Sequence, residues 1–148
     1  MIELTVAEIA EIVGGTLSDI DPATAAATRV TGTAEFDSRA VTAGGLFLAL
    51  PGARVDGHDH AAAAVAAGAV AVLAARPVGV PAVIAAPVTG ESRSGALEHD
   101  RDGAGAAVLA ALALLAAEVA RRLAAGGLRI IGVTGSSGKT STKDLLAA

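Results

Sequence analysis

Cysteine is absent from this chain of 148 residues, as are tryptophan and tyrosine, and the only aromatic side chains are Phe36 and Phe47. Without thiols there is no disulfide framework, no thiolate metal site and no cysteine nucleophile, a composition compatible with a reducing cytosol. Any metal has to be held by oxygen or histidine. Positive charge is short as well: 11 Lys and Arg against 15 Asp and Glu leave a formal net charge of -4. A nucleic-acid polymer or an anionic membrane surface requires a positive field, and base stacking requires aromatics, so neither is expected as a partner.

What the chain has in abundance is small aliphatic residues. Its hydrophobic content of 53% is ample for the core of one ordinary domain or two small ones. About half of it is Ala, with Val, Leu and Ile, which suits helices laid on parallel strands and predicts an α/β fold rather than a barrel or sandwich. The start, Met1-Ile2-Glu3-Leu4, lacks the basic n-region and apolar run of a secretory signal, so a cytoplasmic protein is expected. Ala104 to Ala117 is uncharged, but Glu118, Arg121 and Arg122 follow directly. The run is shorter than the roughly 20 residues of a membrane span. It reads as a core-facing helix, with no membrane insertion, and a monomer is expected.

Thr5 followed by Glu8 forms a capping-box pattern, and Val6, Ile9, Ile12 and Val13 keep helical spacing up to Gly14-Gly15, which predicts a short opening helix. Arg29 to Phe36 reads as one strand, Asp37-Ser38-Arg39 as the loop beyond it, and Leu46 to Leu50 as a second strand paired with the first. Asp59 to Gly68 predicts an Ala-rich helix, and Ala69 to Ala74 and Ala82 to Ala86 two further strands. Thr89 to Gly103 is polar and charged and predicts a domain boundary or exposed loop. Ala104 to Ala124 then predicts a long helix with Val108, Leu112, Leu115, Val119 and Leu123 on one face, ended by Gly126-Gly127. Leu128 to Val133 reads as a buried strand. The chain stops at Ala148, one or two turns into the helix begun at Lys139, where a truncated second domain is expected. The predicted division is 1–88 and 89–148.

The strongest chemical signal is at the end of the chain. Leu128-Arg129-Ile130-Ile131-Gly132-Val133 runs into Thr134-Gly135-Ser136-Ser137-Gly138-Lys139-Thr140-Ser141-Thr142, the order strand, glycine-rich turn and helix start that a phosphate loop needs. Glycines let backbone N–H groups converge on phosphate oxygens, and the helix N-terminus adds partial positive charge. Lys139 is expected to reach the β- and γ-phosphates of a bound nucleotide. The Thr140 hydroxyl is expected to ligate Mg²⁺, a hard cation that bridges phosphate oxygens. The strict pattern Gly-x-x-x-x-Gly-Lys-Ser/Thr asks for glycine where this chain has Val133.

That departure fits a particular variant. The run Thr134 to Lys143 resembles the ATP loop of the Mur ligases, whose first glycine stands three residues before Gly138. The family is similar at the other end too, in Phe36-Asp37-Ser38-Arg39, in Gly44-Gly45-Leu46-Phe47-Leu48-Ala49-Leu50 and in Asp56-Gly57-His58-Asp59. The resemblance implies a small UDP-substrate domain over 1–88 and, over 89–148, the start of a P-loop ATPase-like domain. ATP and Mg²⁺ are the implied cofactors, with Gly135, Ser136, Ser137, Gly138, Lys139, Thr140 and Ser141 at the nucleotide and Lys139 in the catalytic role. Ser38 is implied as a contact to the uridine part of the substrate, and Asp37 and Arg39 as shaping that pocket.

The implied chemistry is amide ligation through an acyl phosphate in peptidoglycan precursor synthesis. Ser136-Ser137 and Ser141-Thr142-Lys143 favour, within the family, D-alanyl-D-alanine as the incoming amine and UDP-N-acetylmuramoyl-tripeptide as the acceptor. Diaminopimelate or lysine as the amine, or a catalytically inactive nucleotide-binding fragment, stay open as alternatives.

By residue type alone, Asp37-Ser38-Arg39 is a turn, since Asp and Ser bond their own backbone. Asp56, His58, Asp59 and His60 make a dense cluster of potential metal ligands, but their spacing fits a loop and helix N-cap better than a metal motif. No Gly-x-Ser-x-Gly or His-Glu-x-x-His pattern occurs, which removes support for serine-hydrolase and zincin chemistry.

Overall fold

The computed structural model describes residues 3–52, 55–88, 100 and 102–129. Strand β1 (Leu4–Thr5) runs straight into helix α1 (Val6–Val13), and the predicted capping box is formed. The Thr5 hydroxyl accepts the Glu8 N–H at 3.1 Å while the Glu8 carboxylate accepts the Thr5 N–H at 2.8 Å. Gly14 closes the helix in the left-handed region, at φ 62°, where a Cβ is costly. Val6, Ile9, Ala10 and Val13 form the buried face.

The remaining elements follow as β2 (Thr16–Ser18), α2 (Pro22–Ala27), β3 (Arg29–Val30), β4 (Ala34–Glu35), β5 (Gly45–Leu48), a 3₁₀ turn (Gly57–His60), α3 (Ala61–Ala67), β6 (Ala69–Ala74), β7 (Ala82–Ile84) and α4 (Ala104–Ala125). A five-stranded sheet has the order β2-β7-β6-β5-β4, and β1 pairs with β3 in a small antiparallel ladder. Strands β4 to β7 are mutually parallel, with β2 antiparallel on the edge beside β7. The fold is therefore α/β, as the composition predicts.

One expected strand is divided. Arg29 to Phe36 forms β3 and β4 in two different sheets, because the loop before β5 crosses it at Gly32. There Gly44 O accepts the N–H groups of both Thr31 (3.0 Å) and Gly32 (2.9 Å), and a Cβ on Gly32 would sit 2.8 Å from Gly45 N. Backbone so close leaves room for glycine alone and takes these residues out of any ladder. Sequence reading also missed β2 and α2.

The central strands bury both faces, as parallel strands do. Leu46, Leu48, Ala71, Leu73 and Val83 meet α1 and α4 on one side. Phe47, Ala49, Val72, Ala74 and Ala82 meet α3 on the other. Helix α4 has the predicted span, and aspartates upstream satisfy its first N–H groups: Asp100 accepts from Gly105 (2.9 Å) and Ala106 (2.8 Å), and Asp102 from Ala104 (3.1 Å). Its N-terminal half is in the core through Ala107, Val108, Ala111 and Leu115. The expected apolar face continues into solvent, with Leu123 40% exposed. By length and composition α4 could cross a membrane. Of the strand expected over Leu128 to Val133, Leu128 and Arg129 carry no strand; residues 130–133, and 89–99 and 101 of the boundary segment expected over Thr89 to Gly103, lie outside the described residues.

Candidate functional site

Two loops leave the carboxyl ends of neighbouring parallel strands, β4 and β5. The first is a tight Asp-led turn in which Asp37 Oδ1 accepts the Arg39 N–H at 3.0 Å and Asp37 O accepts the Ala40 N–H at 2.9 Å. The Arg39 guanidinium folds back on the same carboxylate, Nε to Oδ1 at 2.9 Å and Nη2 to Oδ2 at 2.7 Å. Those side-chain bonds, and then the Arg39 backbone N–H, hold the Asp37 carboxyl down to about 2. The Arg39 side chain is nevertheless 88% exposed, so the pair defines a charged rim and not a buried clamp.

The second loop is anchored. Asp56 caps the 3₁₀ turn by accepting the His58 N–H at 2.9 Å, and the Gly57 N–H donates to Leu50 O at 2.9 Å. A Cβ at Gly57 would stand 2.6 Å from Leu50 O and 2.7 Å from Leu50 N, which only glycine avoids. His58 is buried. Its Nε2 accepts the Ala75 N–H at 3.1 Å, so the ring proton is on Nδ1, which donates to Asp56 Oδ1 at 2.7 Å. Arg76, at the end of β6, donates to Asp56 Oδ2 at 2.7 Å. Burial alone would raise the Asp56 carboxyl. The hydrogen bonds from Arg76 and from the His58 backbone and ring outweigh it and hold the group well below the usual carboxylate range.

Between the loops opens a cavity of about 730 Å³, lined among others by Phe36, Asp37, Ser38, Arg39, Gly57 and His60. It has a ligand pocket's size, and it lies off the carboxyl ends of parallel strands, where open α/β sheets take ligands. All three residues expected to bind the UDP-linked substrate thus line one cavity. The expected nucleotide residues Gly135, Ser136, Ser137, Gly138, Lys139, Thr140 and Ser141, with the Mg²⁺ role given to Thr140, lie outside the described residues.

Sequence reasoning missed part of the wall. Phe47 forms the floor, 1% exposed, and Leu109 reaches the cavity from α4, off the apolar face that the periodicity picked out. Gly57 carried a signal, a glycine directly after a capping aspartate. Among the described residues no group of His and carboxylates is placed to hold a metal, and both ring nitrogens of His58 are engaged within the protein.

Comparison with known proteins gives the chain its family. The family described as "Mur ligase family, catalytic domain" matches residues 34–117. The UDP-N-acetylmuramoyl-tripeptide--D-alanyl-D-alanine ligase of Mycobacterium tuberculosis is 73% identical over 149 residues, covering 100% of this chain and 29% of the relative. A UDP-N-acetylmuramoyl-L-alanyl-D-glutamate--2,6-diaminopimelate ligase from Geobacillus kaustophilus is 40% identical over 114 residues, covering 76% of this chain and 19% of the relative. Among solved structures, a UDP-N-acetylmuramoylalanyl-D-glutamyl-2,6-diaminopimelate--D-alanyl-D-alanyl ligase from Acinetobacter baumannii superposes with a TM-score of 0.66 at 28% identity, covering 98% of this chain and 27% of that one. The chain thus spans less than a third of the length of the relatives it matches. It belongs to the Mur ligase family.

Proposed function

We infer that the chain contributes the UDP-substrate pocket and the ATP phosphate loop of a cytoplasmic amide ligase in peptidoglycan precursor synthesis. The ligase joins D-alanyl-D-alanine to UDP-N-acetylmuramoyl-tripeptide. The observation that carries this reading is the cavity walled by Asp37, Ser38 and Arg39, in a chain 73% identical over its whole length to a ligase of that name. The diaminopimelate-adding reading rests on a weaker likeness, 40% identity over 76% of the chain.

In this reading Ser38 contacts the uridine part of the substrate and Arg39, with N–H donors beyond those given to Asp37, faces its diphosphate. Segment 1–88 carries the acceptor substrate and 89–148 begins the nucleotide-binding part, with α4 as the physical link between them. The donors available for ATP and Mg²⁺, the Lys139 ammonium, the Thr140 and Ser141 hydroxyls and a glycine-rich backbone, are hard and cationic or hydroxylic, as a magnesium triphosphate demands. Bound ATP supplies the phosphoryl group that activates a carboxylate toward an amine. The enzyme works as a monomer and needs no membrane contact.

The test is ligation by a full-length ligase built to include this chain. Lys139→Ala should nearly abolish pentapeptide formation, since it removes positive charge where phosphoryl charge concentrates. Ser38→Ala should weaken the UDP-linked substrate and leave ATP affinity intact. Lys139→Ala activity within a few-fold of wild type, or equal loss of both ligands in a well-folded Ser38→Ala protein, contradicts the reading.

A further inference from the structure

Where the chain places its two aromatic rings is unequal in a way that packing does not explain. Phe47 is 1% exposed and fills the core beneath the cavity, whereas Phe36 is 71% exposed at the cavity's edge. Burying a phenyl ring is among the larger single gains open to a folding chain, and this fold forgoes it at Phe36. The neighbouring groups tell what the ring is free to meet. Asp37 and Arg39 form a charged pair beside it, and His60 lines the same cavity. A purely apolar partner laid on Phe36 would have to desolvate that pair at a cost. A flat, polar-edged ring would not, since it can cover the phenyl face and keep its polar edge toward the loop.

We propose that Phe36 is the stacking platform for the pyrimidine base of the nucleotide-linked substrate and so an affinity-determining residue of this pocket; the inference rests on the reading of the cavity as a UDP-substrate site. Stacking on Phe36 sets the base beside Ser38, the next residue but one, and directs the ribose and diphosphate along the loop toward Arg39. Stacking accepts any base with a π-face, so Phe36 contributes affinity for a base over no base. The choice among bases falls to hydrogen bonds from the loop.

The chain supplies its own probe, because it contains neither Trp nor Tyr and Phe36→Trp makes residue 36 the sole strong fluorophore. UDP should quench its emission saturably, and ribose 5-phosphate, which lacks a base, should not. By calorimetry Phe36→Ala should bind UDP roughly tenfold to a hundredfold more weakly than wild type, and Phe36→Leu should recover only part of the loss. Unchanged emission at UDP concentrations that saturate the wild type overturns the proposal, as does full affinity in either Phe36→Ala or Phe36→Leu. Should Phe36→Ala not fold, the quenching experiment decides alone. If wild-type protein binds no UDP, the reading of the cavity fails and this inference with it. Binding by the wild type without quenching sinks the inference and leaves that reading standing.

Discussion

The two loops that frame the cavity begin alike and end differently. Each opens with an aspartate that accepts the N–H two residues on, Asp37 from Arg39 and Asp56 from His58, and each aspartate holds an arginine at 2.7 Å. In the first loop the arginine is local and 88% exposed. In the second it comes from the end of β6, and a histidine side chain only 2% exposed joins the loop to the Ala75 backbone. The same pair of side chains therefore serves two purposes. An exposed pair adds little stability and keeps its hydrogen-bonding capacity for a ligand. A pair tied into buried groups fixes a wall, because each broken link leaves a desolvated polar group behind.

The sharpest way to break this contrast is His58→Ala. It removes the ring partner of Asp56 Oδ1, leaving that oxygen the residue 58 backbone N–H, and strips the Ala75 N–H of its acceptor, and should cost about 2–4 kcal/mol of unfolding free energy, read as a lower urea midpoint. A loss near zero would mean that the second loop is no better anchored than the first.

Next in size is the response to acid. The folded-state depression of the Asp56 carboxyl means the unfolded chain binds its proton first as pH falls. The stabilisation from Asp56 is thus complete above the unfolded value of about 4 and is lost progressively below it. Asp56→Asn should flatten that acid limb of the stability curve, measured as thermal midpoint against pH. An acid limb as steep as wild type would assign the loss to other carboxylates.

Asp37→Asn should have the smallest effect on folding. Its thermal midpoint at neutral pH should match wild type, while UDP affinity falls several-fold as the Arg39 guanidinium loses its fixed position. A large drop in midpoint would erase the distinction between the loops.

What the sequence made legible was local. The capping box of Thr5 and Glu8, the glycine stops at Gly14 and Gly68, and strand β6 follow from neighbours in the chain, and each appears as expected. What escaped was set by distant partners. The division of Arg29 to Phe36 is imposed by the Gly44 carbonyl. Edge strand β2 exists through its pairing with β7, and α2, six residues with proline at its start, is too short to show a period. At the site, Asp37-Ser38-Arg39 is legible as a turn from chemistry, and the expectation of a substrate contact there came only from family resemblance. The bond from Arg76 to Asp56 spans 20 residues and had no sequence signal.

Backbone amide shift mapping of the 14.3 kDa chain during titration with UDP tests the central claim most directly. The perturbed amides should cluster at Phe36, Ser38, Arg39, Gly57 and His60, with Leu109 of α4 joining them across the cavity. Saturable shifts centred elsewhere, or none at millimolar UDP, would contradict the assignment of this cavity to the nucleotide-linked substrate.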